Sequence, residues 1–242
     1  MKKALAVMAV MITLAASQGV FARNTNPGVM PPNSKSHGMT YGEWSAKWWQ
    51  WVYSIPADQH PLNDGLYIPG EEPTGDCSNG SSGQSGSVWF LGGGWSAAEV
   101  GNAFYAYAVR DCAIPAGKAL FFPIINAECS TLEGNGATEE ALRACAIGLV
   151  DLAANLTATI DGVVIQDLDK YRAASPLFTF GPLPENNLLG KAPGAVSPAV
   201  ADGVYLMLPP LSAGNHTIHF AGTVPDFNFF LDITYNLTVG KK

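Results

Sequence analysis

Leu156-Thr157-Ala158-Thr159-Ile160-Asp161-Gly162-Val163-Val164-Ile165 is the stretch on which the fold class turns. Two runs rich in β-branched residues flank an Asp-Gly pair. Such residues fit a pleated, half-buried surface. A two-residue Asp-Gly loop takes positive φ at both positions, in the turn whose twist matches that of paired strands. The stretch therefore predicts a β-hairpin. Strand patterns also cover 87–91, 103–109, 118–125, 177–180, 204–208, 217–221 and 231–239. The alternation from Phe104 to Val109 suits a half-buried strand. Ile114-Pro115-Ala116-Gly117 and Ser212-Ala213-Gly214-Asn215 read as turns.

Two segments break the strand pattern. Thr40-Tyr41-Gly42-Glu43 is a capping box, with Met39 and Trp44 placed to form the hydrophobic staple. It predicts a helix from Tyr41 to Tyr53, stopped ahead of Pro56. At 100° per residue, Tyr41, Trp44, Trp48 and Trp51 share one face, and Glu43, Lys47 and Gln50 the opposite one. Trp49 lies off the apolar stripe and Tyr53 further round. A second helix is predicted from Glu139 to Ala154, capped by Thr138, with Glu139 and Glu140 in its first turn. Its stripe is Leu142, Cys145, Ala146, Leu149 and Leu152. The fold class is thus mainly β: an antiparallel β-sandwich-like unit with an N-terminal aromatic amphipathic helix and one inserted helix. Leu208 to Phe220, where the turn leads into His216-Thr217-Ile218-His219-Phe220, resembles the late hairpin of immunoglobulin-like β-sandwich modules. That resemblance implies architecture and carries no function.

Compartment comes from the first 22 residues, which read as a signal peptide. Lys2 and Lys3 precede an apolar stretch, Ala4 to Ala16, too short to span a bilayer, and Val20-Phe21-Ala22 is a small-x-small cleavage site. Residues 23–38 read as an extended N-terminal arm, and 39–242 as one β-rich domain with a place for a sub-unit boundary near 155. The expected location is periplasmic or secreted, with no membrane span in the mature chain. Cys77, Cys112, Cys129 and Cys145 are an even set in an exported chain, which favours disulfides. Three pairings are open. Neighbours in sequence need least excursion, which favours Cys77–Cys112 and Cys129–Cys145.

The chain of 242 residues carries 13 basic and 20 acidic side chains, a net charge of −7. That balance repels phosphates and argues against a nucleic-acid partner. Gly83-Gln84-Ser85-Gly86-Ser87 lacks the second glycine of a hydrolase elbow. Phosphate-loop, dinucleotide and zinc-protease motifs are absent from the sequence. No cofactor or metal is expected: His216 and His219, three apart on a strand, point to opposite faces. No catalytic residue is assigned.

The expected function is an exported, non-enzymatic binding or surface-interaction protein for a neutral glycan-like ligand. The alternative is an exported hydrolase acting on polysaccharide. The candidate surface is built on Trp49, with Tyr53 one turn on and Asp58, His60 and Asp64 in the polar loop that follows. An aromatic ring there would stack on a sugar face while the polar groups take its hydroxyls. The competing expectation for Trp49 is burial beneath the 56–86 loop as a second core face.

Overall fold

The first helix forms where its capping box places it. The structure, a computed structural model, describes residues 26 and 28–240, so the signal peptide expected at 1–22 lies outside the described residues. Helix α1 spans Tyr41–Tyr53; the Glu43 amide donates to Thr40 Oγ1 (3.3 Å), and the Thr40 amide to Glu43 Oε2 (2.7 Å). Its stripe is far wider than one face. Only Glu43 and Lys47 are exposed and Gln50 half-buried, while Trp44, Trp48, Trp49, Trp51 and Tyr53 are all buried.

The strands follow in chain order: β1 (Val88–Phe90), β2 (Ala98–Val100), β3 (Ala103–Ile114), β4 (Ala119–Ser130), β5 (Ala154–Ile160), β6 (Val163–Val164), β7 (Phe178–Phe180), β8 (Ser197–Leu208), β9 (Gly214–Val224) and β10 (Phe229–Val239). They make two sheets, β1-β4-β8-β7 and β2-β3-β10-β9-β5-β6. The sheets pack together, with Phe122 of the first stacking on Phe220 of the second (5.4 Å). Phe121 faces the other way, against Tyr41 and Trp44 of α1. The four-stranded sheet is thus covered on both faces, which explains why β8 is buried along nearly its whole length.

The Asp161-Gly162 hairpin forms as expected, with both residues at positive φ and Thr159 opposite Val164. Other features differ from the sequence reading. Strand β2 carried no signal. Two pairings are parallel, β1 with β4 and β10 with β3, amid antiparallel neighbours. The Ile114–Gly117 and Leu208–Asn215 turns join strands of different sheets, so the latter is an arch and not the hairpin that the resemblance implied. Pro209 and Pro210 have no amide hydrogen to continue the β8 ladder. The second helix, α2, covers Glu139–Val150 and ends four residues early, because Ala154 already pairs with Thr223 in β5. Leu149 of its expected stripe is exposed, and Val150 beside it is buried instead. Cys77 bridges Cys112, and Cys129 bridges Cys145, which ties α2 to β4.

One buried charge locks the loops onto this frame. Arg110 of β3 is 1 % exposed. Its Nε donates to the Asp64 carbonyl (2.7 Å), Nη1 to the Gly92 carbonyl (2.9 Å) and the Tyr235 hydroxyl (2.7 Å), and Nη2 to the Leu62 carbonyl (3.2 Å). The chain comes so close here that a Cβ on Gly65, at φ +58°, would strike the Val109 carbonyl. Replacing Arg110 with Met keeps bulk but leaves the buried Asp64 carbonyl without a donor, at about 1–3 kcal/mol for a group left unpaired, and takes one donor each from the Gly92 and Leu62 carbonyls, which keep only the Tyr235 hydroxyl and the Trp95 amide. Thr40→Ala removes one cap, about 1 kcal/mol. Urea unfolding should therefore rank Arg110→Met well below Thr40→Ala in stability; the reverse order would contradict this account.

Candidate functional site

The five residues singled out from sequence do not share an open surface. The loop after α1 folds back over the helix. Trp51 Nε1 donates to the Ser82 carbonyl (3.0 Å), and Trp48 Nε1 to the Leu91 carbonyl (2.7 Å). The other side of α1 meets β8 and β4. Trp49 is only 8 % exposed, edge-on to Trp48 and stacked on Tyr53 at 5.4 Å. Its indole nitrogen sits by the buried Tyr205 hydroxyl, together with Ser45 and Asn126. Tyr53 packs on Phe180 and donates to Glu128 Oε2 (2.7 Å). Burial pushes the Glu128 carboxyl up to about 9, and the neighbouring Glu133 adds to the effect. A ring enclosed in this way cannot stack on a sugar, so Trp49 and Tyr53 form a second core face.

His60 and Asp64 are buried too, and each is engaged in holding the loop. His60 Nδ1 accepts from the Leu62 amide (3.1 Å), which leaves Nε2–H to donate to the Val52 carbonyl (2.9 Å). Asp64 accepts from both the backbone and side-chain nitrogens of Asn79 (2.8 and 2.7 Å). Asp58 alone stays exposed, accepting from Asn186 Nδ2 (3.2 Å). Sequence reading took a loop rich in Gly, Ser and Asp for a surface. In the fold His60 and Asp64 satisfy backbone groups of the loop and of α1, and Asp58 holds the Asn186 side chain.

An open aromatic site lies elsewhere, on the outer face of the six-stranded sheet. Along β3 and β10, Ala106, Ala108, Leu231 and Ile233 point inward, which turns Tyr105, Tyr107, Phe230 and Asp232 outward. Register sets Phe230 between Tyr105 on β3 and Thr223 on β9, and Asp232 between Tyr107 and Ala221. The Tyr105 and Phe230 rings stack at 5.1 Å and 15°, yet remain 36 % and 41 % exposed. With Tyr67, Val100 and Asn155 they line a cleft of about 630 Å³. Ladder pairing of β5 is interrupted between Ala154 and Thr157, and Asn155 adopts φ +55° there. Such a bulge re-aims a side chain. Asn155 Nδ2 donates to Thr223 Oγ1 (3.2 Å), and Thr223 donates on to the Ala154 carbonyl (3.2 Å). Asp232 accepts from or pairs with His219 Nε2 at 2.9 Å. The cleft thus sets ring surface beside an amide, a hydroxyl and a carboxylate.

A second cleft, of about 520 Å³, opens at one end of the sandwich. Phe104, Leu149, Val150, Phe227 and Phe229 give it apolar walls. Among the described residues no group of three or more His, Cys, Asp or Glu side chains is placed to hold a metal ion, and no helix is long and apolar enough to cross a membrane. Comparison with protein-family models, with curated proteins and with solved structures gave no match.

The His60 geometry has a measurable consequence. Burial, with Arg110 nearby, holds its imidazole down at about 4, against 6.5 when free. Below pH 6.5 the unfolded chain takes up a proton that the folded one refuses. Stability should therefore fall between pH 6.5 and 4, by roughly 3 kcal/mol at most. His60→Gln supplies both an acceptor and a donor without titrating. Urea melts across this range should show a shallower acid loss in the variant; equal slopes would contradict the assignment.

Proposed function

We propose that this is an exported binding protein whose ligand, a neutral glycan, lies in the outer-face cleft beside Phe230 and is held there without being cleaved. The observation that carries the reading is the exposed Tyr105–Phe230 pair flanked by Asn155, Thr223 and Asp232. A sugar presents an apolar C–H face and a rim of hydroxyls. Ring surface takes the first, and a few placed polar groups take the second. The sheet is rigid, so little ordering is needed on binding. A net charge of −7 disfavours an anionic ligand. Export is supported by the two disulfides, which persist in oxidising compartments.

Hydrolysis of polysaccharide in this cleft is the weaker reading. Glycoside cleavage uses two carboxyl groups across the scissile bond. Asp232 is the one carboxylate among the residues lining the cleft. Glu128 and Glu133 do stand together, but Glu128 is turned to Tyr53 in the interior.

Calorimetric titration of neutral oligosaccharides, with uronic-acid oligomers alongside, tests the reading. The expected result is binding of at least one neutral glycan and about tenfold weaker binding by Phe230→Ala, the size of one aromatic contact. Because Phe230 is exposed, the melting temperature should hardly move. No neutral glycan bound, or affinity untouched in both Phe230→Ala and Tyr105→Ala, would refute it.

A further inference from the structure

Three side chains from separate elements converge at the far end of β9 from the cleft. Ser212 lies in the 209–213 arch between the sheets, His216 near the start of β9, and Asp161 in the β5–β6 turn. Ser212 Oγ is 3.2 Å from His216 Nε2, and His216 Nδ1 is 2.7 Å from Asp161 Oδ2. Asp161 is itself held in place, its Oδ1 accepting from the Thr217 amide (2.8 Å) and its own amide donating to the Thr217 carbonyl (2.8 Å). This is a nucleophile, a base and an orienting carboxylate, each within reach of the next.

We propose that Ser212, His216 and Asp161 form an acyl-transfer site that cleaves small acyl esters. The carboxylate fixes the tautomer: Nδ1–H points at Asp161, which leaves Nε2 to accept from the Ser212 hydroxyl. In the first step Ser212 Oγ bonds to the ester carbonyl carbon and its proton moves to Nε2. The carbon–oxygen bond to the alcohol then breaks, and the alcohol leaves with that proton. Water next attacks the acyl-serine, gives its proton to Nε2 and releases the carboxylic acid. Ser212 recovers its proton from Nε2. The main-chain amides of Ser212 and Ala213 bond to no described residue, so both are free to donate to a bound substrate.

The site's surroundings narrow the substrate. Ser212 is exposed on an open arch. Nothing there encloses a substrate, which favours a short acyl group carried on a larger molecule and presented from outside. The resting state has a competitor: His216 Nε2 also lies 3.0 Å from the Ser212 carbonyl. The protonated imidazole donates to that oxygen, and only the neutral form serves as base. Asp161 favours the protonated form and raises the His216 pKa. A purely structural pin between arch and turn would have the same contacts but would not activate the hydroxyl.

A fluorophosphonate probe separates the two. It reacts with a serine only when the hydroxyl is activated. The full mature chain is incubated with the probe and the adduct mapped by peptide mass spectrometry, with p-nitrophenyl acetate turnover measured in parallel. The expected result is an adduct on Ser212, absent in Ser212→Ala, with ester turnover lost in the same variant. Asp161→Asn keeps the shape but presents the wrong tautomer and should slow both reactions by about 100-fold. Ser212→Ala changes one exposed hydroxyl, so its circular dichroism should match the parent. A folded parent protein with no adduct on Ser212, or labelling indifferent to Asp161→Asn, would overturn the proposal. Neither outcome bears on glycan binding in the cleft, which uses other residues.

Discussion

Arg110 is the constraint on which the rest of the molecule is arranged. A guanidinium taken out of water must find a partner for each donor or lose several kcal/mol. Here its donors go to three main-chain carbonyls and to the Tyr235 hydroxyl, and no carboxylate oxygen is bonded to it. The carbonyls belong to Leu62, Asp64 and Gly92, so one side chain fixes two irregular segments against the six-stranded sheet. Tyr235 closes the arrangement by donating to Gly92 (2.8 Å), with the Arg110 guanidinium 5.2 Å from the centre of its ring. Once those segments are held, Trp48 and Trp51 acquire carbonyl partners and α1 is roofed over.

That roof explains why the rings of the aromatic helix are enclosed while Tyr105 and Phe230 on the sheet stay open. In α1 every indole is either packed on another ring or hydrogen-bonded to main chain. Around Trp49 the interior stays polar: Tyr205, Asn126, Ser45 and Glu128 meet there. On the outer sheet face the aromatic rings have each other and solvent, and their surroundings are hydroxyl and amide groups. Order in the one place and openness in the other follow from which face of which layer each residue occupies.

Much of the fold was legible in the sequence because its signals are local. The Thr40–Glu43 box, the Asp161-Gly162 turn, Thr138 as a cap and the order of the cysteines each act over a short span. What escaped depends on partners distant in the chain. Period-two alternation in β3 says which residues share a face, not that β10 lies parallel beside it. The stripe on α1 could not reveal that a loop rich in Gly and Ser would cover Trp51 while β8 and β4 bury the other side with Trp49. Tyr105 and Phe230 were visible as strand residues, but their stacking needs a register between segments 125 positions apart. Asp161 and His216 are 55 apart and carry no shared motif. That His216 and His219 point to opposite faces was nevertheless legible, because that inference needs only alternation.

The position of β10 has a bearing on how the chain acquires its structure. Strand β10, which follows every other described strand in the chain, lies in the middle of the six-stranded sheet, flanked by β3 on one side and β9 on the other. Until it emerges, β2-β3 and β9-β5-β6 have no common neighbour, and the apolar inner faces of both fragments lack their centre. Closing the β3–β10 pairing also spans most of the sequence, an entropic step that slows assembly. The six-stranded sheet therefore cannot close before β10 is in place. A chain lacking Phe229–Val239 would lose the keystone of the sheet and not a trailing edge.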